Sequence, residues 1–185
     1  MGYGVMPYAV ETKYLNAPAT FTSGPEDFFD WMMQVHAHAL DEAAIRTALR
    51  ELFFAQEPTG SEGWAYGYAL KVLCEQFGGW LPNGHWYPFR SHGFEAVGAA
   101  LRALDIDFDP TDLIYSGAPV DLPPIDDFPS IGHLALAELK PLAESLNAAD
   151  LTTIEDASLV DSISELRGWT NTCVERDCDL VCFYH

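Results

Sequence analysis

The spacing of apolar side chains changes several times along the chain, and each change predicts an element. Tyr3, Val5, Met6, Tyr8 and Val10 crowd residues 2–10 with aromatic and β-branched side chains, which predicts a strand. Ser23 and Pro25 then supply a cap and first-turn signal. Phe28, Phe29, Trp31, Met32 and Val35 follow at helical spacing, so a helix is expected from Pro25. Asp41 is placed to cap a second helix, whose Ile45, Leu49, Leu52 and Phe53 fall at i, i+4, i+7 and i+8. A third begins at Ser61 and carries Trp64, Tyr68, Leu70, Val72 and Leu73 as far as Phe77, where Gly78 and Gly79 end it. Asn83 and Gly84 make a turn. A fourth helix runs from Ser91 through Phe94, Val97 and Leu101 to Leu104.

The second half reads differently. Four prolines between residues 118 and 129 each remove a backbone donor and push the preceding residue toward extended structure, which excludes a helix. Leu122, Ile125 and Phe128 within that stretch predict that it packs on the domain as an ordered connector. Residues 131–136 are expected to form a short strand and 137–146 a helix, with Pro141 acceptable only near its start. A long helix is predicted over 155–174 and a closing strand over 179–185, the dense run DLVCFYH. No repeat of solenoid length is present. With 185 residues and 49% hydrophobic content, the sequence is expected to form one domain over 1–185.

Charge narrows the partners. Nine Lys plus Arg against 28 Asp plus Glu give a net charge of −19, and the basic residues are scattered, so no nucleic acid and no anionic membrane surface is expected as a partner. Between Asp105 and Glu165 stand fourteen acidic residues and one basic one, Lys140, a sustained negative field able to steer a cationic partner. Solubility alone would also account for such a surface. A basic leader and a long apolar run are both missing, so cytoplasmic localisation is expected. The four cysteines are accordingly read as free thiols.

Candidate chemistry is local. Cys173, Cys178, Cys182 and His185 have a superficially zinc-like spacing. A strand, however, points Cys182 and His185 to opposite faces, so no metal is assigned. His36 and His38 lie about 200° apart on a helix and cannot readily share an ion; His38 and Glu42 could do so only on a continuous helix. Asp105, Asp107 and Asp109 open like a calcium loop, but Pro110 and Ser116 occupy the positions that need Gly and Glu, which leaves a helix-ending acidic turn. With Asp112, Asp126 and Asp127 these carboxylates form the candidate surface for a basic protein. Asp126 and Asp127 as an acid–base pair are weakened by their adjacency in an extended segment. An alternative site collects Trp80, His85, Trp86, Arg90 and His92, with Asn83, Tyr87, Tyr66 and Glu62 beside them, in a loop of aromatics, imidazoles and a guanidinium. The competing reading is that its aromatics cover one end of the core. Common hydrolase and nucleotide-binding motifs are missing, and no cofactor is expected.

The endings SIGHLALAELKPLAESL and SISELRGWTNTCVERDCDLVCFYH, with the opening MGYGVMPYAV, resemble the YfbM-like bacterial domains: a short strand leading into a helix, a later helix and a closing strand. The whole chain, including PPIDDFP and CFYH, is more similar still to an uncharacterised bacterial family of unknown function. The resemblance implies an α+β fold whose N- and C-terminal strands share one small sheet packed by about five or six helices. It implies no reaction and no catalytic residue. Two functions are therefore expected as alternatives: a non-catalytic acidic binding protein, concretely an immunity-type inhibitor of a cationic bacterial toxin or effector, or an enzyme or small-ligand receptor in which His85 is the base and Arg90 orients an anionic group.

Overall fold

The computed structural model describes residues 3–60 and 62–185. Gly2 and Ser61, at the starts of the predicted first strand and third helix, lie outside the described residues. Along the chain come β1 (Val5–Val10), α1 (Pro25–Val35), α2 (Ala43–Phe53), α3 (Gly63–Phe77), β2 (Gly79–Trp80), α4 (Ser91–Ala103), α5 (Asp112–Tyr115), β3 (Ser130–Leu134), α6 (Leu136–Ala148), α7 (Ala157–Glu175) and β4 (Asp179–Tyr184). The strands make one antiparallel sheet in the order β2-β1-β4-β3, so the fold is α+β with both terminal strands inside it.

Side-chain alternation explains why the sheet is covered on both faces. Val5 and Ala9 of β1, Leu180 and Cys182 of β4 and Leu134 of β3 point to a core shared with α4, α5, α6 and α7. The intervening Tyr8, Val10, Val181, Phe183 and Ile131 point to a second core built with α1, α2 and α3. A strand buried on both faces needs apolar residues at successive positions, which is why β4 reads as an unbroken LVCF run.

The six predicted helices form, and their apolar spacing marks the buried faces: Ile45, Leu49 and Phe53 on α2, and Phe94, Val97 and Leu101 on α4. Two caps differ from expectation. Ser23 does not cap α1, because Gly24 precedes it in the left-handed region (φ +64°) and Pro25 supplies the first helical residue. Asp41 does not cap α2, which starts after an extended Glu42 without a side-chain cap. Pro141 falls in the second turn of α6, deeper than expected, and leaves one ladder position without a donor. α5 and β2 are additions that the sequence pattern did not predict.

Close backbone approaches hold the connector and α5 in place. A Cβ on Gly63 would lie 1.9 Å from the Pro124 carbonyl oxygen, so the start of α3 touches the proline-rich segment through bare backbone. A Cβ on Gly132 would sit 2.3 Å from the Asp112 oxygen, which fixes α5 directly against β3. The connector is non-helical, and Leu122 and Ile125 pack on the α1–α3 core as expected.

Candidate functional site

α5, the β3–α6 junction and the loop after α4 converge on a depression of about 340 Å³. Asp105, Asp107, Asp112 and Glu138 stand around it, over Ile106 and Leu142. Asp105 ends α4 in the left-handed conformation (φ +57°), which is the helix-ending acidic turn expected of the D-x-D-x-D run. Asp109 is used locally: its Oδ1 accepts the Thr111 amide at 2.9 Å and the Thr111 hydroxyl at 2.8 Å, which hold its carboxyl below the ordinary range. Burial and then the neighbouring Asp109 and Glu138 push the Asp112 carboxyl upward. Asp126 and Asp127 do not join this group. Asp127 lines a separate hollow with Asp121 and the proline connector, and its Oδ1 accepts the Phe128 amide at 2.8 Å. Of the six carboxylates proposed as one surface, Asp105, Asp107 and Asp112 line the depression and Asp127 lines the separate hollow.

The loop between β2 and α4 builds a larger feature. A cleft of about 1100 Å³ opens between the N-terminal ends of α4 and α7, and it brings together His85, Arg90 and His92. Glu165 of α7 fixes the loop by accepting the Gly84 amide at 3.0 Å and the His85 amide at 2.8 Å. Asp156 caps α7, accepting the Ser158 amide at 2.9 Å and its hydroxyl at 2.7 Å, and those bonds hold its carboxyl below the ordinary range. Asp161 lies 3.8 Å from Nδ1 of His85. Tyr3, Phe89 and Tyr184 form the apolar wall. The Tyr184 hydroxyl donates to the Phe89 carbonyl at 3.0 Å, and the Tyr3 ring stacks on Tyr184 at 6.0 Å.

All four aromatics assigned to this site lie outside the cleft lining, Tyr87 as an exposed ring beside it. Trp86 is fully buried, its indole N–H donating to the Ser162 carbonyl at 2.9 Å and its ring stacked 4.4 Å from Phe89. It supports the cleft from behind as a core residue. Trp80 is exposed on the edge strand β2 and does not line the cleft. Tyr66 is buried on α3, where its hydroxyl donates to Glu51 of α2, and Glu62 precedes that helix on the surface. Tyr3, Asp156, Ser158 and Tyr184 escaped the sequence reading because only the fold brings the chain ends and α7 to the loop.

The metal-like spacings resolve into packing. Cys173 and Cys182 belong to the α4–α7 core, whereas the His185 imidazole packs edge-on to Tyr68, 5.6 Å between centroids, beside the opposite core. Burial first of all pushes the Cys173 thiol up to about 12, as befits an inert thiol. All four cysteines are free. His36 closes α1 and a separate 3-10 turn follows over Ala37–Ala39, so His38 and Glu42 do not share a continuous helix. Instead His36 Nδ1 lies 3.4 Å from Glu75, which also accepts Lys71 at 2.6 Å and the Tyr8 hydroxyl at 3.0 Å. Among the described residues, no three His, Cys, Asp or Glu side chains gather as an ion site. No helix among them is long and apolar enough to cross a membrane.

Comparison with curated proteins and with solved structures finds no match. The family signature of a domain of unknown function, DUF7691, matches residues 1–185, and the chain belongs to that family over its whole length.

Proposed function

We propose that this domain is a non-catalytic acidic binding protein whose partner is a basic protein. One observation carries the reading. Of the fourteen carboxylates between Asp105 and Glu165, only Asp161 has a basic nitrogen within 4 Å among the described residues, and that nitrogen belongs to an imidazole. Carboxylates left without counter-charge keep their field in solvent, where it raises the rate of encounter with a cation-rich surface. The depression ringed by Asp105, Asp107 and Asp112 is the point at which a lysine or arginine of the partner would insert, supplying the counter-charge that Asp112, raised by burial and then by Asp109 and Glu138, lacks.

The concrete form of this proposal is an immunity-type inhibitor acting in the cytoplasm on a cationic bacterial toxin or effector. Small size, the strong acidic excess and the lack of common catalytic motifs support it. The YfbM-like kinship belongs to the same proposal and is supported by the β3–α6–α7–β4 order of the last third of the chain. The test is to isolate the protein that binds this domain and follow its association at several salt concentrations, with the wild type and with the triple variant Asp105→Asn, Asp107→Asn, Asp112→Asn. The proposal expects association to slow steeply with salt and several-fold in the variant, with dissociation little changed. A neutral or anionic partner, or unchanged association of the variant, would refute it.

A further inference from the structure

We infer that the cleft between the N-terminal ends of α4 and α7 binds a small ligand carrying an anionic group, a carboxylate or a phosphate, on an aromatic or apolar body. The inference goes beyond the acidic docking surface and does not depend on it. Its size is right: about 1100 Å³ holds a drug-sized molecule in an open-mouthed site.

The charge pattern is local and opposite to that of the whole chain. Residues 76–94 contain no Asp or Glu, although 28 of the 185 residues are acidic, and within that stretch fall His85, Arg90 and His92. All three line the cleft. Asp156, the one carboxylate among the lining residues, holds both donors of Ser158, and Glu165, outside the lining, holds the amides of Gly84 and His85. Asp161 faces Nδ1 of His85 and leaves Nε2 of that ring for a ligand. The Arg90 guanidinium, by contrast, has no hydrogen bond or ion pair among the described residues, so its planar fork of donors is available for a pair of anionic oxygens.

Backbone donors add to the side chains. Arg90 precedes α4 in an extended conformation, and the amides of Ser91 and His92 occupy the first turn, where no intrahelical acceptor exists. The Gly93 amide is taken by the Arg90 carbonyl at 2.8 Å, which leaves the Ser91 and His92 amides as the open donors of this turn. The same cleft is lined by Tyr3, Phe89 and Tyr184, held by the Tyr184 to Phe89 hydrogen bond and backed by Trp86. Such a wall is fitted to the face of a ring, not to a naked inorganic ion.

The test uses the full chain, labelled with ¹⁵N, titrated with phenyl phosphate, with benzoate and with uncharged phenol. Saturating shifts at the amides of Ser91, His92 and Gly93 are expected for one or both anionic probes, with a Kd of about 1 mM or tighter, and phenol should fail at matching concentrations. Comparing the two anions assigns phosphate or carboxylate as the preferred group. Arg90→Gln should weaken binding at least about tenfold, and His92→Gln to a lesser degree, with unchanged melting temperatures because both side chains are exposed. The Asp105→Asn, Asp107→Asn, Asp112→Asn variant should bind the probes as the wild type does, which separates this site from the docking surface. Shifts that do not saturate, shifts centred elsewhere, equal binding of phenol, or an Arg90→Gln protein that binds normally would each overturn the inference.

Discussion

Removal of residues 180–185 tests the central claim about the fold, that the last strand is structural and not a peripheral tail. β4 is an inner strand. It pairs with β1 from Val5↔Tyr184 to Val10↔Asp179 and with β3 from Ser130↔Tyr184 to Leu134↔Leu180. Leu180, Val181 and Phe183 are fully buried, and they point alternately into the two cores. At ~1.5–3 kcal/mol for each large apolar side chain, the three together contribute about 5–9 kcal/mol, before counting the donors and acceptors that β1 and β3 would lose. A typical domain's whole margin is ~5–15 kcal/mol, so the truncated protein should be insoluble, or soluble without a cooperative thermal transition. Phe183→Ala gives a graded version of the same test: a loss of ~3–5 kcal/mol, or about 6–20 °C in Tm for a chain of this size. Circular dichroism melts and limited trypsin digestion read both. A truncated chain that melted cooperatively at the full-length temperature would refute the argument.

Glu51 of α2 is buried and accepts hydrogen bonds from the Thr59 hydroxyl and amide and from the Tyr66 hydroxyl; Glu51→Ala should cost about 1–3 kcal/mol in urea titrations, because those donors lose their acceptor. Burial acts to raise the carboxyls of Glu51 and Glu75, but hydrogen bonds from Thr59 and Tyr66 to the first, and from Lys71 and Tyr8 to the second, outweigh it and hold both below the usual 4.5. A depressed folded-state value means stability that is present above pH 4.5 and lost as pH falls below it, and Glu51→Gln should flatten that acid limb. Gly63→Ala places a Cβ against the Pro124 backbone and should destabilise by ~1–3 kcal/mol, despite the better helix propensity of alanine; equal or greater stability in urea would show that the connector yields freely. Trp86→Leu removes the ring packed against Phe89 and Trp169 and leaves the Ser162 carbonyl without its donor, so a loss of about 2–4 kcal/mol is expected in the same assay; an unchanged midpoint would contradict its placement in the core.

The sequence was most informative where a pattern is long or where both faces of an element are buried. β4 is legible because burial on both sides demands apolar residues at every position, and α2 and α4 because their Ile45–Leu49–Phe53 and Phe94–Val97–Leu101 spacings repeat over several turns. α5 was not legible, since four residues give no full period. Neither was β2, whose two residues join the sheet through backbone bonds alone. The caps misled for another reason. Ser23 and Asp41 have suitable side chains, but the chain enters these helices through a left-handed Gly24 and an extended Glu42. For the cleft, His85, Arg90 and His92 were found because they are neighbours in sequence, whereas Tyr3, Asp156 and Tyr184 arrive from distant segments. Trp86 looked like a site residue because polar residues surround it; that its indole would find a carbonyl on α7 is information the local sequence does not hold.

The two proposed sites differ in how their charge is arranged, and salt should separate them. Capture of a basic partner draws on many unpaired carboxylates spread over a surface, so it depends on a field that reaches beyond contact. Raising ionic strength from about 0.01 M to 0.15 M shortens the screening length from ~30 Å to ~8 Å and removes most of that reach. The cleft works against the same field: a phenyl phosphate approaching a chain of net charge −19 is repelled until it is within reach of Arg90. Screening weakens the repulsion at distance, while the bidentate contact and the first-turn amides of α4 act over about 3 Å, well inside the screening length. Anion affinity should therefore fall much less with salt than partner association, and an increase is compatible with the same physics. Isothermal titration of the anionic probe beside stopped-flow association of the partner, in the same salt series, reads both. If the two weakened in parallel, anion binding would have to be assigned to diffuse surface attraction, and the case for Arg90 as a specific anchor would fail.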